Sequence, residues 1–475
     1  MADVDLLVAG AGGGLAGALR ASEQGLSVVV AEANPHYRRA NNTAMSTAMI
    51  PGPGSRFQRA AGVEDSPERF LADVAAKTHG EADPVVAATL AHLGAELVEW
   101  LADHVGLPVE LAAVDYPGHS VRRCHTVPGH HGSTLLRALA DAAEASSSID
   151  LMCPARLTGL SPASSEGHLP SSSSSEGPLR SEWQVTLTRP DGGSEELTAS
   201  AVLLATNGYG AAPDLVARHL PGIADAAYHG SEYSTGDALA LAGPLGAASG
   251  YLDAYQGHAG LSAAARTLVT WTTVMNGAIV VDADGRRFGD ETVGYSEYAA
   301  MLAARPGARG WAVFDARIDA LTREFTDYVD VVEAGAVRRG DSVEELAARI
   351  GVDAAVLAAE IADAAAVAGG RQEVDRVGRR SVAAPLEAPY AAVEIVPALF
   401  HTQGGLHVDA DARVLDAAGS PLGGLYASGG AAVGMSGHGA AGYLAGNGLL
   451  PALGLAYRAA DHCASQASTV RKVHA

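Results

Sequence analysis

Short apolar runs broken by glycine set the pattern at the start of the chain. Residues 3–9 (DVDLLVA) predict a buried strand ending at the glycine cluster 10–14. Residues 15–24 (LAGALRASEQ) carry helical spacing, Gly25 stops the helix, and 26–32 (LSVVVAE) predict a second buried strand. Together they make a strand–helix–strand unit. A further apolar run, Ala201–Ala205, leads into TNGYG and predicts a strand closed by a tight turn. Residues 341–368 place acids among alanines and leucines at helical spacing, as surface helices do, and 446–460 (GNGLLPALGLAYRAA) predict an apolar helix opened by a glycine-rich loop. The stretch 161–183, rich in Ser, Gly and Pro, has no apolar period and is expected to be a mobile, solvated hairpin tip.

Composition narrows the classes. A chain of 475 residues exceeds one ordinary domain, so two are expected. Glycine (56) far outnumbers phenylalanine (6), which favours close helix–sheet packing. A net charge of −22 argues against nucleic acid as a partner. No run of 18 apolar residues occurs, so no membrane span is expected. The start MADVDLLVAG is not the basic opening of a secretory signal. Cys124, Cys153 and Cys463 are scattered without metal-ligand spacing, so reduced thiols, a cytoplasmic location and no metal are expected.

The first loop carries the clearest chemistry. Glycines after a strand let the backbone approach a pyrophosphate, whose charge then rests on the next helix N-terminus. Two registers are open, Gly10, Gly12 and Gly14 or Gly12, Gly14 and Gly17, with Gly13 between. Glu32, followed by Ala33, ends the second strand, where a carboxylate accepts from ribose hydroxyls and disfavours a 2′-phosphate.

Later motifs fall in a familiar order: 41–49 (NNTAMSTAM), 203–208 (LLATNG), 235–237 (TGD), 401–405 (HTQGG) and 424–429 (GLYASG). Together they resemble the fumarate reductase/succinate dehydrogenase flavoprotein superfamily, closest to its 3-ketosteroid dehydrogenase and cyclic-ketone desaturase branch. The resemblance implies an α/β fold, a Rossmann-type FAD-binding domain over 1–250 and 396–475 with an inserted α+β substrate cap over 251–395. It implies FAD contacts at Asn41, Asn42, Thr43, Ser46, Thr47, Ala155, Ala205, Thr206, Asn207, Gly208, Asp237, Gly429, Gly446, Asn447 and Leu449. Members that tether FAD use a histidine where this chain has Asn42, so the cofactor is expected to be non-covalent. The family's GLYAAGE often ends in an acid, here replaced by Gly430.

Residues at the flavin face separate two reactions. Fumarate reductase-like members place an arginine after RxFxNE and another before the last GGN. Here those positions are Tyr295, after Arg287–Glu291, and Tyr443, so a dicarboxylate would lack both clamps. The ketosteroid dehydrogenase pattern instead places tyrosines at positions matching Tyr295 and Tyr116. Its third tyrosine aligns with His438 and its carbonyl-binding N–H with Gly442. The resemblance thus implies that His438 and the Gly442 N–H polarise a ketone, and that Tyr295, eased by Tyr116, removes the α-proton. The β-hydride then leaves for flavin N5, and Tyr443 contacts substrate. A phenol titrating near ~10 makes a poor base, so its surroundings must lower that value.

His401 and His258 occupy places where fumarate reductase-like members hold a carboxylate, which admits a ketone bearing one carboxylate. His125, His130 and His131 (CHTVPGHH) are expected in a loop near the active-site wall. An external acceptor is implied (oxygen, a quinone or an electron-transfer protein), because no heme-binding CxxCH occurs. The alternatives are a C=C reductase of an unsaturated carboxylate and a non-catalytic flavin electron-transfer subunit. Tyrosine and histidine at proton-transfer positions weigh against the last.

Overall fold

The computed structural model describes residues 2–163 and 182–473. The chain divides into two compact units, 1–219 with 230–255 and 401–475, and 220–229 with 256–400.

The first unit is built on a parallel sheet. Val4–Ala9 lies at its centre, with Val8 opposite Val30 of Val28–Ala31 on one side and Leu203 of Ser194–Leu204 on the other. Ile149–Met152 and Pro421–Ala427 extend it in parallel, and Arg413–Leu415 adds an antiparallel edge. The apolar runs have no polar alternation because both sheet faces are covered. Two antiparallel strands, Arg156–Pro162 and Trp183–Thr188, lead into Ser194–Leu204. Most of the serine-rich stretch between them, 164–181, lies outside the described residues.

The helix Gly14–Glu23 packs on the C-terminal helix Leu449–Val473, and glycine sets their spacing. A Cβ at Gly13 would stand 2.5 Å from the Ala452 carbonyl oxygen, and one at Gly17 2.8 Å from that of Ala456. The C-terminal helix runs past the expected residue 460 because Cys463 and Ala464 keep its apolar face in the core. The helix Pro84–Asp103 is, among the described residues, long and apolar enough to cross a membrane. It starts at Asp83, which accepts from the N–H groups of Val85 and Val86, and it buries Leu90, Leu97, Val98 and Leu101 in the core. Its apolar character is met by packing within the protein.

In the second unit Tyr390–Thr402 pairs antiparallel with Gly310–Asp315 and Val337–Gly340, and in parallel with Ala227–Tyr228. That last pairing brings 220–229 into this unit, beyond the expected 251–395. The helices Val343–Ile350 and Ala354–Ala368 follow the surface-helix pattern, capped by Ser342 and Asp353 and separated by Gly351 at φ +77°. A fully buried ion network holds the unit: Arg287 bonds Glu291 (2.7 Å) and Asp375 (2.7 Å), and Arg379 reaches Glu291 at 3.3 Å.

Candidate active site

The carboxyl ends of the parallel strands converge on a cradle of glycine and small polar residues, where α/β sheets bind ligands. Gly10 leaves its strand at φ +108° against the Ala205 carbonyl, a turn that other residues resist. Gly12 faces side chains, with Thr43 Oγ1 3.1 Å from a notional Cβ, whereas Gly13 and Gly17 are spent on helix packing and Gly14 on Val8 and Ala205. Gly13, at the N-cap, supplies no side-chain cap, and no acid occupies the first turn, so the positive end of this helix is left for an anion.

Glu32 is buried and accepts from the N–H groups of Ala11 (2.7 Å) and Asn34 (2.6 Å). Burial pushes its pKa up against the pull of these donors. The Ala155 N–H bonds the Glu32 carbonyl at 2.7 Å and fixes the segment after Ala33 beneath the acid. The 41–47 loop locks itself. Asn41 accepts from the Ala44 N–H, Ser46 donates to the Thr43 carbonyl, Thr126 donates to that of Thr47, and Asn42 accepts from the Ser231 N–H.

On the far side Asn207, at φ +64°, donates to Ser234, and Gly208 lies tight against Thr402. Gly430 fits against Asn207 Oδ1 (2.6 Å from a notional Cβ), so an acid there would not fit this backbone. Gly429 and Gly446 turn at φ +61° and +90° on either side of the loop that ends at Leu449. Both Asp237 oxygens are taken by Arg156 (2.8 and 2.5 Å), with Thr235 at 2.7 Å. Thr206 Oγ1, Ser428 Oγ and Asn447 Oδ1 are buried without a hydrogen-bond partner among the described residues. Orphaned polar atoms are costly unless a ligand meets them, so this cradle fits an extended dinucleotide.

His401 and Tyr443, expected at the flavin face, are brought together in the same unit, ring centroids 5.8 Å apart and edge-on. Burial pushes the His401 imidazole down to about 4. The Gln403 amide donates to its Nδ1 at 3.0 Å, Ser436 donates to Gln403 Oε1 at 2.9 Å, and Asn447 donates to Ser436 at 3.1 Å. Gln403 falls inside the 401–405 motif without having been singled out, and Ser436 carried no motif signal.

Tyr116 packs with Met49, Ala112, Cys124 and Ala445, and burial pushes its phenol up, which suits a neutral hydroxyl rather than a phenolate. His119 holds the neighbouring loop, accepting from Arg123 at 3.2 Å and donating to the Ala445 carbonyl at 3.1 Å. Gly442 lies tight against the Ser436 carbonyl, where a side chain has no room. His438 is half exposed, stacked on Tyr251 at 4.7 Å and bonded through Nδ1 to Asp253 at 2.8 Å. His125 accepts from Ser55 at 2.7 Å and His131 caps the helix Gly132–Ala145. His130 sits at φ +51° just before it.

In the second unit His258 is buried and stacks on Tyr295 (4.8 Å) and Phe400 (5.4 Å), with Trp271 edge-on at 5.9 Å. The Gly260 N–H donates to its Nδ1 at 2.9 Å, so the ring proton is on Nε2. Burial pushes this imidazole down to about 3. Tyr295 opens the helix Tyr295–Ala303 after Gly294 at φ +130°, and Ser296 accepts from the Gly257 N–H at 2.9 Å, tying that helix to the histidine's strand.

A family model for the FAD binding domain matches residues 5–449, and the chain belongs to that family; FAD is its cofactor. It is an FAD-dependent oxidoreductase. Among its relatives, the probable fumarate reductase Ifc3 of Shewanella frigidimarina is 28% identical over 439 residues, 91% of this chain and 70% of that protein. The 4-oxocyclohex-2-ene-1-carboxylate 5-dehydrogenase of Sinomonas cyclohexanicum is 32% identical over 223 residues, 40% of this chain and 37% of the relative. The fold is shared with 3-ketosteroid delta1-dehydrogenase from Sterolibacterium denitrificans at a TM-score of 0.76 and 22% identity, covering 97% of this chain and 99% of that one.

Proposed function

We propose that this protein α,β-dehydrogenates a cyclic ketone carrying at most one carboxylate. The observation that carries the proposal is charge: His258 and His401 are held as neutral imidazoles, and tyrosines stand at 295 and 443 where the dicarboxylate pattern has arginines. Within each unit the pair offers a substrate N–H and O–H donors but no full positive charge to offset the desolvation of a dianion. A ketone needs only such donors. The partial similarity to an oxocyclohexene carboxylate dehydrogenase supports the same class.

Tyr295 takes the α-proton. His438, as the imidazolium that donates through Nδ1 to Asp253, offers its Nε2–H to the carbonyl oxygen together with the Gly442 N–H. FAD, held without a covalent bond, supplies the acceptor for the β-hydride, and an external oxidant reoxidises it. The second reading, reduction of an unsaturated carboxylate, is favoured by the 28% identity to a probable fumarate reductase over most of the chain.

Anaerobic mixing of the holoprotein with 4-oxocyclohexanecarboxylate, cyclohexanone and a 3-ketosteroid separates the two. Bleaching of the visible flavin band by a saturated ketone is the expected result. Reoxidation of the reduced protein by unsaturated carboxylates, with no bleaching by any ketone, would overturn the proposal.

A further inference from the structure

A chain of three side chains, Asn447, Ser436 and Gln403, ends at one nitrogen of His401. Asn447 donates to Ser436 Oγ, which frees the Ser436 hydroxyl proton for Gln403 Oε1. With its oxygen engaged, the Gln403 amide turns its N–H₂ to His401 Nδ1 at 3.0 Å. An imidazole nitrogen that accepts carries no proton, so the ring proton is on Nε2. Nε2 lies at the corner between Gly448 and Tyr443: a Cβ at Gly448 would stand 3.0 Å from it and 3.8 Å from the Tyr443 hydroxyl. A competing partner also exists, the Thr402 carbonyl 3.4 Å from Nδ1, which would draw the proton to that nitrogen. Gln403 and Ser436 are buried, so water does not substitute readily for either.

We propose that Gln403, aligned by Ser436 and Asn447, is a positioning residue that fixes the His401 proton on Nε2 and aims this N–H at the corner beside Gly448 and Tyr443. It rests on the proposed dehydrogenation only for what that N–H donates to, a polar oxygen of the ketone substrate. Tyr443 is the titratable side chain against the ring, and burial, opposed by the Thr402 carbonyl, keeps the imidazole neutral.

Ring-15N-histidine NMR of the holoenzyme tests this, with the His401 signals assigned by their loss in His401→Asn. The wild type should show an unprotonated Nδ1 at neutral pH. Gln403→Met leaves the Thr402 carbonyl as the partner of Nδ1, so the proton should move to Nδ1. In that variant kcat/KM for the ketone should fall about ten- to a hundredfold, the worth of one hydrogen bond to a polar group. Gln403→Glu should stabilise the imidazolium and move the acid limb of the kcat/KM profile to higher pH, which a purely structural side chain would not do. If Gln403→Met fails to fold, Ser436→Ala decides, with a new Nδ1–H population expected.

A wild-type proton on Nδ1, or an unchanged tautomer in both variants, would overturn the relay. A tautomer that moves while kcat/KM holds for every ketone would leave the relay standing and remove His401 from substrate binding.

Discussion

Two histidine–tyrosine pairs, one in each unit, are built differently. His258 and Tyr295 stack face to face, at 4.8 Å and 21° between planes, and a backbone N–H holds the histidine. His401 and Tyr443 meet edge-on, at 5.8 Å and 71°, and a chain of three side chains holds the histidine. Both imidazoles end as neutral Nε2–H donors. A backbone clamp is indifferent to most substitutions, whereas a side-chain clamp can be retuned one residue at a time. The first pair therefore suits a fixed chemical role and the second an adjustable one.

The largest test of that division is Tyr295→Phe. Losing a proton acceptor should slow ketone-driven flavin reduction by about 10²–10⁴-fold, with FAD content unchanged. Tyr443→Phe keeps the edge contact with His401 and should cost about tenfold or less, chiefly in KM. Equal losses in stopped-flow traces of the two variants would erase the division.

The stacked pair also depends on the buried ions that precede its helix. Glu291→Ala removes the carboxylate shared by Arg287 and Arg379, leaving Arg287 with Asp375 alone, and should cost about 3–5 kcal/mol in urea unfolding, with the loss in the second unit. An unfolding midpoint within error of wild type would show that the network is dispensable.

A smaller effect is expected from Gly260→Ala. Its Cβ would stand 2.5 Å from the Val269 carbonyl oxygen and 3.1 Å from His258 Cε1, so the clamp must shift, at about 1–3 kcal/mol. Gly448→Ala, in the other unit, instead fills the corner at His401 Nε2 and should raise KM with little change in melting temperature.

Acid gives the most general effect, and it grows with every pH unit. His258 titrates at about 3 and His119, His125 and His401 at about 4 in the fold, against 6.5 when free. Above the free value both states are neutral and the contribution is fully present. As pH falls below it, the unfolded chain takes up protons that the folded one refuses. Each histidine then removes up to ~1.4 kcal/mol per pH unit until its folded value is reached. His258→Gln and His401→Gln should each lower the slope of unfolding free energy against pH by one proton; unchanged slopes would mean these rings already carry charge.

The sheet and the cofactor cradle were legible because they rest on local signals. Val4–Ala9 is apolar but for Asp5, Val28–Ala31 is apolar throughout, and a glycine cluster follows the first directly. What escaped lies in pairings between distant, locally featureless residues. Ala227–Tyr228 is a two-residue strand without period, so the second unit's extra segment left no trace. Arg156 clasps Asp237 across 81 positions, and Ser436 meets Gln403 across 33. Polar residues after 460 concealed the rest of the last helix, because only its buried face keeps an apolar repeat.

The glycine-spaced contact between the helix Gly14–Glu23 and the helix Leu449–Val473 also sets a timetable. The strand that opens the cofactor cradle is made well before its closing partner, because the helix it feeds waits for a segment more than four hundred residues downstream. Until Ala452 and Ala456 emerge, the first helix has its glycine face open and FAD has half a site. Cofactor loading is therefore a late event of synthesis, and a chain arrested before the last helix should emerge colourless.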